Sequence, residues 1–486
     1  MIFERKIAAR LRSVFEDAGF NEANVLAALG ASDYWTSEKT YPPHVLHRIE
    51  GSELEPFMRL FVLRAPIDCE AALKTLSPLS EEELVGAGLL EMRDEARALV
   101  RILPQRGMFV LSDWPRGQEK LRYDYVMGLS PSTITVANLG VRGPMGDYLD
   151  LGTGSGFLAM LAAAESERVV AIDLNERAVA MARFNMELNR LTNVECLHGD
   201  MFAPVQNRKF DSILTNPPYV ISPDEKFQFM DSSLGGEEFC KQLARKAPEL
   251  LNDGGWFQMT FNWTEREGVE WTDQLTTWFE GTGCDAWVLR FERDDPDSYA
   301  TAWIRQSLGD DPALYEERYS VWMKYFEELD IEAVSMGFVT MRLAPKSRNW
   351  IDIEDAPGVP QGSAGEQIRR VFNSRDHLAS MSDDDLMAAV PIIAPGTRLE
   401  QIWVSEEERL TQGAFRVLQT EGLPYWGQID RPGAGALATC DGRKTLRALL
   451  NEMAAEMEVP TSEVVDRALG AIKNLLATGL LEIKPA

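Results

Sequence analysis

Tyr148-Leu149-Asp150-Leu151-Gly152-Thr153-Gly154-Ser155-Gly156 reads as an apolar strand carrying one acid that runs directly into a glycine turn, and Phe157 to Ala164 continues it as a helix. Glycines at such a place permit a tight turn and let a ligand approach the backbone at the carboxyl end of a sheet, where α/β crevices bind ligands. The dinucleotide fingerprint GxGxxG is not met, because Phe157 stands where that pattern continues and the third glycine falls at Gly156.

Outward from this turn, strand and helix signals alternate. Strands are expected at Tyr148 to Leu151, Val169 to Asp173, Val194 to Leu197, Ser212 to Thr215, Trp256 to Phe261, Ala286 to Phe291 and Ala333 to Met341. Helical patterns such as Arg177 to Asn189 and Glu238 to Leu251 lie between most of them, which implies right-handed crossovers onto a largely parallel sheet. The stretch 294–329, with Tyr299, Trp303, Tyr315, Trp322 and Phe326, is too long for a simple connection and reads as a helical insertion whose aromatic residues form core.

The expected domains are a helical, winged-helix-like region 1–115, an α/β domain 116–345 and a linker 346–366 rich in Pro and Gly, then a mainly helical, winged-helix-like C-terminal domain 367–486. Both flanks carry the same short theme, Gly88-Leu89-Leu90-Glu91 and Gly479-Leu480-Leu481-Glu482, each after a helical pattern. Ser80-Glu81-Glu82-Glu83 has the form of a capping box.

Two acids follow the glycine turn at strand ends. Asp173 is placed to accept both hydroxyls of a ribose, with Leu174 beside it; the alternative is a turn or helix-capping aspartate. Asp200 in Gly199-Asp200-Met201-Phe202 can accept from an exocyclic amine while Met201 or Phe202 covers the base; the alternative is an ordinary Gly-Asp turn. Cys196, His198 and Asp200 alternate along one strand, but no fourth ligand accompanies them and no metal is expected.

Asn216-Pro217-Pro218-Tyr219 ends the apolar run Ser212 to Thr215. Two prolines fix φ and cannot donate from the backbone, and the residue before a proline is pushed to extended geometry. Asn216 is therefore held extended, and its side-chain carbonyl and the Pro217 backbone carbonyl can accept the two hydrogens of an NH2 group on an sp2 carbon. Such bonds orient a planar nitrogen for attack and stabilise the positive charge that develops on it. Tyr219 offers a flat face for stacking, and no strong base is needed.

Asp150 to Gly156, Asp173, Gly199-Asp200 and Asn216 to Tyr219 together resemble class I S-adenosylmethionine-dependent methyltransferases of the HemK/PrmC type. Ala182-Arg183-Phe184-Asn185 through Asn189 and Leu234-Gly235-Gly236-Glu237 are also similar to that family. The resemblance implies a seven-stranded Rossmann-like sheet and S-adenosylmethionine as cofactor. It implies cofactor contacts from Asp150, Gly152, Thr153, Gly154, Gly156, Asp173, Leu174, Asp200, Met201 and Asn216, and acceptor binding by Asn216, Pro217 and Tyr219. Family members methylate a glutamine of release factors, and related enzymes modify exocyclic amines of guanine or adenine. The chain departs from the family in its long flanks and in Gly128-Leu129-Ser130-Pro131-Ser132-Thr133, which lacks the Arg and Glu of the family's cofactor-covering stretch.

Composition sets the frame for these readings. A formal net charge of -27 from 49 basic and 76 acidic residues weighs against a non-specific nucleic-acid binder. Arg443-Lys444 with Arg447 is a candidate local basic patch, the alternative being a solvated face. No apolar run reaches the ~18 residues a membrane span needs, and Met1 to Lys6 lacks the apolar core of a secretion signal, so a cytoplasmic protein with no membrane partner is expected. Cys69, Cys196, Cys240, Cys284 and Cys440 are expected as reduced, mostly buried thiols. Three functions are compatible with these residues: N-methylation of a protein glutamine, with a release-factor-like protein as partner; N-methylation of an exocyclic amine in RNA; and a non-catalytic cofactor-binding regulator.

Overall fold

The computed structural model describes residues 7–34, 42–115, 123–223, 235–308, 312–344, 349–406 and 409–484. Met1 to Lys6 and Leu234 lie outside them. The chain divides into two compact units, one of residues 1–136 and 143–355, the other of 137–142 and 356–486.

The first unit is built on an eight-stranded sheet. Its strands are β1 (Met145–Leu151), β2 (Ser166–Asp173), β3 (Val194–His198), β4 (Phe210–Thr215), β5 (Leu251–Arg266), β6 (Cys284–Asp294), β7 (Ile331–Leu343) and β8 (Ile351–Asp355). Their order is β8-β6-β7-β5-β4-β1-β2-β3. β7 runs antiparallel to both neighbours, and every other pairing is parallel. The sheet thus has one strand more than the seven expected. β8 comes from the stretch read as linker, because Ile351 and Ile353 alternate with acids and give too short an apolar pattern to announce a strand.

Helices α1 (Phe157–Ala163) and α2 (Glu176–Leu188) connect the strands on one side of the switch point, and α3 (Gly236–Lys246) and α4 (Trp271–Phe279) connect those on the other. Leu149, Leu151, Ile213, Phe257, Met259 and Phe261 share a hydrophobic cluster with Cys240 and Leu243 of α3 and with Leu275 and Trp278 of α4. α3 bears Glu237 and Glu238 in its first turn and Arg245 and Lys246 in its last, which complements the helix dipole. The insertion between β6 and β7 forms α5 (Pro296–Leu308) and α6 (Pro312–Glu328), and Tyr299, Trp322 and Phe326 are buried in the same cluster.

Residues 7–115 supply short helices and two hairpins, Leu90–Met92 with Ala96–Ala98 and Arg101–Gln105 with Met108–Ser112. Ser80 and Glu83 form a reciprocal capping box. Asn185 on α2 and Asn189 at its C-cap, one turn apart, bond the Met108–Ser112 strand much as a neighbouring strand would. Asn185 Oδ1 accepts from Leu111 N–H at 2.9 Å and its Nδ2 donates to the Leu111 carbonyl at 2.9 Å. Asn189 does the same with Phe109, at 2.9 and 2.8 Å.

The second unit holds the helices Gly365–Ser380, Asp383–Ala388, Arg431–Ala438, Leu446–Met457 and Thr461–Ala477, and a strand Leu481–Lys484 antiparallel to Val390–Ile393. It also holds a three-stranded antiparallel sheet, Thr397–Glu406, Arg409–Gln419 and Trp426–Ile429, which a mainly helical reading did not place. Trp403, Leu410 and Trp426 stay exposed on it, so burial imposes no clean alternation for the sequence to display. Gly88 and Gly479 both take positive φ, 71° and 70°, before a short strand, so the two Gly-Leu-Leu-Glu segments follow the same local course.

Candidate functional site

The glycine turn sits at the carboxyl ends of β1 and β2. Gly152, Gly154 and Gly156 adopt φ of 72°, 53° and 87°, a region that disfavours any residue with a Cβ. The Gly152 and Thr153 amides both donate to the Ile172 carbonyl, at 2.9 and 2.8 Å, which pins the turn to β2. The three glycines differ in purpose. A Cβ on Gly152 would meet nothing within 4 Å, so this position opens onto space a ligand can fill. A Cβ on Gly156 would stand 2.8 Å from Met186 Cε and 3.2 Å from Ala182 Cβ, so Gly156 lets α1 approach α2. Gly156 thus serves helix packing on its Cα side.

Asp150 is fully buried, and its Oδ2 accepts from Thr153 Oγ1 at 2.6 Å and from Ala159 N–H at 3.0 Å. Oδ1 has no partner. Burial pushes this carboxyl up to about 7 despite those two hydrogen bonds. Asp150 and Thr153 therefore brace the turn from beneath.

Asp173 accepts from Asn175 N–H through Oδ1 and from Gly154 N–H through Oδ2, both at 2.8 Å. Each oxygen keeps a second lone pair for a ribose hydroxyl. The turn-and-cap role and the ribose role are thus compatible in one carboxylate. Burial pushes its pKa upward, and the two amides pull against that. Leu174 beside it is 52% exposed. Asp200 is exposed and Met201 half-buried, whereas Phe202 is packed in the core and cannot cover a base. Cys196 is buried and His198 bonds the Leu174 carbonyl at 3.0 Å; among the described residues no cluster fit for a metal is present.

Asn216 follows β4, beside β1. Its Nδ2 lies 3.4 Å from both Ser132 Oγ and Thr133 Oγ1, while its Oδ1 is buried with no hydrogen-bond partner. A buried carbonyl oxygen without a donor is costly, and a substrate N–H would relieve it. Ser130 holds both hydroxyls in place, at 3.0 Å to Ser132 and 2.9 Å to Thr133. Pro217 is buried. Tyr219 is buried too, its ring edge-on to Trp303 at 6.3 Å, so it walls the site and is not an open stacking platform. Burial raises its phenol pKa, opposed by the hydrogen bond with Ser132.

Sequence reading missed Ser132 and Thr133 as neighbours of Asn216, although it singled out their segment for what it lacks. It also missed the support of the donor side. Arg177 forms a two-point ion pair with Asp113, whose Oδ2 accepts from Val126 N–H at 2.8 Å, and Asn175 Nδ2 donates to the Asp124 carbonyl at 3.0 Å. These bonds hold 124–127 against the start of α2, bringing the Met127 carbonyl to 4.0 Å from a Cβ on Gly154. No spacing signal links residues 113 and 177. The basic cluster is paired with acids: Arg443 with Asp441, Lys444 with Glu452, and Arg447 with Asp384.

Residues 131–267 match the family described as Methyltransferase small domain, and residues 369–483 match a domain of unknown function, DUF7782. A release factor glutamine methyltransferase of Aliivibrio fischeri is 32% identical over 148 residues, 28% of this chain and 50% of that protein. A ribosomal protein uL3 glutamine methyltransferase of Bradyrhizobium diazoefficiens is 38% identical over 121 residues, 22% of this chain and 38% of that one. A solved methyltransferase structure from Pyrococcus furiosus aligns with 44% of this chain and 82% of that one at 18% identity and a TM-score of 0.28. The chain spans about half the length of the first of these relatives. The family match and the sheet order agree: residues 131–267, which match Methyltransferase small domain, lie in a sheet of the α/β class I methyltransferase fold.

Proposed function

We propose that this chain is an S-adenosylmethionine-dependent N-methyltransferase whose acceptor is a planar amide nitrogen, a glutamine side chain of a protein. The observation that carries this reading is the buried, unpartnered Oδ1 of Asn216 at the end of β4, next to the glycine turn. The names of the relatives, which act on release factors or a ribosomal protein, support a protein acceptor of release-factor type.

The residues on the donor side fit such a cofactor. Gly152 leaves open space, Asp173 retains lone pairs, and Leu174 and Asp200 are exposed while Met201 is half-buried. When bound, the cofactor supplies an electrophilic methyl on a sulfonium. Asn216 accepts an N–H of the target amide through Oδ1 while Ser132 and Thr133 hold its Nδ2, which fixes the nitrogen's orientation. The same carbonyl dipole stabilises positive charge growing on that nitrogen. Tyr219 and Pro217 close the wall behind Asn216 and limit water.

The test is incubation of the full chain with methyl-labelled donor and a lysate separated into protein, RNA and small-molecule fractions, followed by exhaustive enzymatic digestion of labelled protein, which leaves side-chain amides intact. Label recovered as N-methylated glutamine supports the reading. Label in RNA would replace it with the base-amine reaction, label in the small-molecule fraction would overturn the protein acceptor, and label in no fraction would leave a cofactor-binding regulator.

A further inference from the structure

The insertion reaches the acceptor segment through one side chain. Tyr299, in the first turns of α5, is buried at 4% exposure. Its hydroxyl accepts from Ile221 N–H at 3.0 Å and from Asn262 Nδ2 at 2.8 Å. Ile221 stands two residues beyond Tyr219, and Asn262 lies on β5, whose parallel register with β4 pairs Thr215 with Met259. Asn262 Oδ1 is buried with no partner, so that carboxamide is held through its Nδ2.

The ring of Tyr299 is fixed by Trp303, Trp322 and Phe326 at centroid distances of 6.1, 6.2 and 6.2 Å, and Trp303 in turn meets Tyr219. From the other direction the acceptor segment meets the start of α3. A Cβ on Gly236 would stand 2.6 Å from the Tyr219 carbonyl and the Val220 oxygen, so the two backbones touch.

Pro217 and Pro218 have no N–H with which to tie this segment to the sheet. Just beyond them, the Ile221 amide donates to the insertion through the Tyr299 hydroxyl.

We propose that Tyr299 is a positioning residue for the transfer reaction. It acts through Ile221 and Asn262 to set the place of the Asn216–Tyr219 segment. This inference rests on the reading of Asn216 as the acceptor-binding residue.

The test compares full-length wild type with Tyr299→Phe, which keeps the ring and removes only the hydroxyl. Calorimetry with S-adenosylmethionine measures donor binding. Labelled-methyl transfer to a glutamine-bearing peptide measures turnover, and hydrogen–deuterium exchange measures the Ile221 amide. The expected result is unchanged donor affinity, a kcat about tenfold lower, as displaced catalytic geometry produces, and faster exchange at Ile221. Asn262→Asp, which replaces the amide donor, should lower kcat in the same direction.

Unchanged kcat, or an Ile221 amide that exchanges as in wild type, overturns the proposal. If wild type transfers no methyl to the peptide, the glutamine reading fails by itself. Exchange at Ile221 and turnover with whichever fraction takes the label then decide the role of Tyr299.

Discussion

Asn185 Nδ2 donates to the Ser155 carbonyl at 2.7 Å, so a single carboxamide on α2 joins the glycine turn to the hairpin strand it also pairs with at Leu111. The glycine turn is thereby tied to the N-terminal hairpin through a fully buried residue. Asn185→Ala leaves the Leu111 N–H, the Leu111 carbonyl and the Ser155 carbonyl without this partner. Urea unfolding should show a loss on the order of 3 kcal/mol, with weaker donor binding by calorimetry. A variant as stable as wild type would remove Asn185 from this role.

Gly152 and Gly156 should respond differently to the same added methyl. Gly156→Ala forces a Cβ against Met186 and Ala182 at a φ of 87°, and thermal unfolding should record a loss of about 2 kcal/mol. Gly152→Ala meets no neighbour, so its stability cost is the positive-φ strain of roughly 1 kcal/mol. Its larger effect should fall on donor affinity, because the methyl enters the open space. Equal donor affinities in the two variants would contradict this division.

Asn216→Ala should abolish methyl transfer and leave donor affinity nearly unchanged, since its unpartnered oxygen serves the acceptor. Paired removal of the hydroxyls, Ser132→Ala with Thr133→Val, should lower kcat about tenfold by freeing the carboxamide to rotate. Titration calorimetry with the donor and label transfer to the acceptor fraction separate the two effects; loss of donor binding in Asn216→Ala would refute the assignment.

Asp150 should make stability depend on pH. Its folded pKa of about 7 exceeds the value of about 3.9 in an unfolded chain. The contribution of this group is therefore fully present below about 4 and is lost as pH rises through about 7. Asp150→Asn does not titrate, so the stability of wild type relative to this variant should fall by about 4 kcal/mol between those limits. Unfolding curves at pH 4.5, 6 and 8 test it, and a constant difference would show that Asp150 is not held in the raised state.

The sequence by itself determined the elements that local chemistry controls. The glycine turn demands positive φ, the strands around it are buried on both faces, and two prolines force Asn216 into extended geometry, so each could be read from residue type and spacing. The aromatic insertion was legible as core for the same reason. Tertiary structure alone decided which distant groups meet. Ser132 and Thr133 reach Asn216, Arg177 reaches Asp113, and Tyr299 reaches Ile221, all across long separations that leave no periodic mark in the chain. It also decided the separate tasks of three chemically identical glycines, because what a Cβ would strike is a property of neighbours and not of the residue. β8 and the exposed three-stranded sheet belong to the same class: their strands are fixed by pairing, where half-exposed side chains leave too little hydrophobic alternation to announce them.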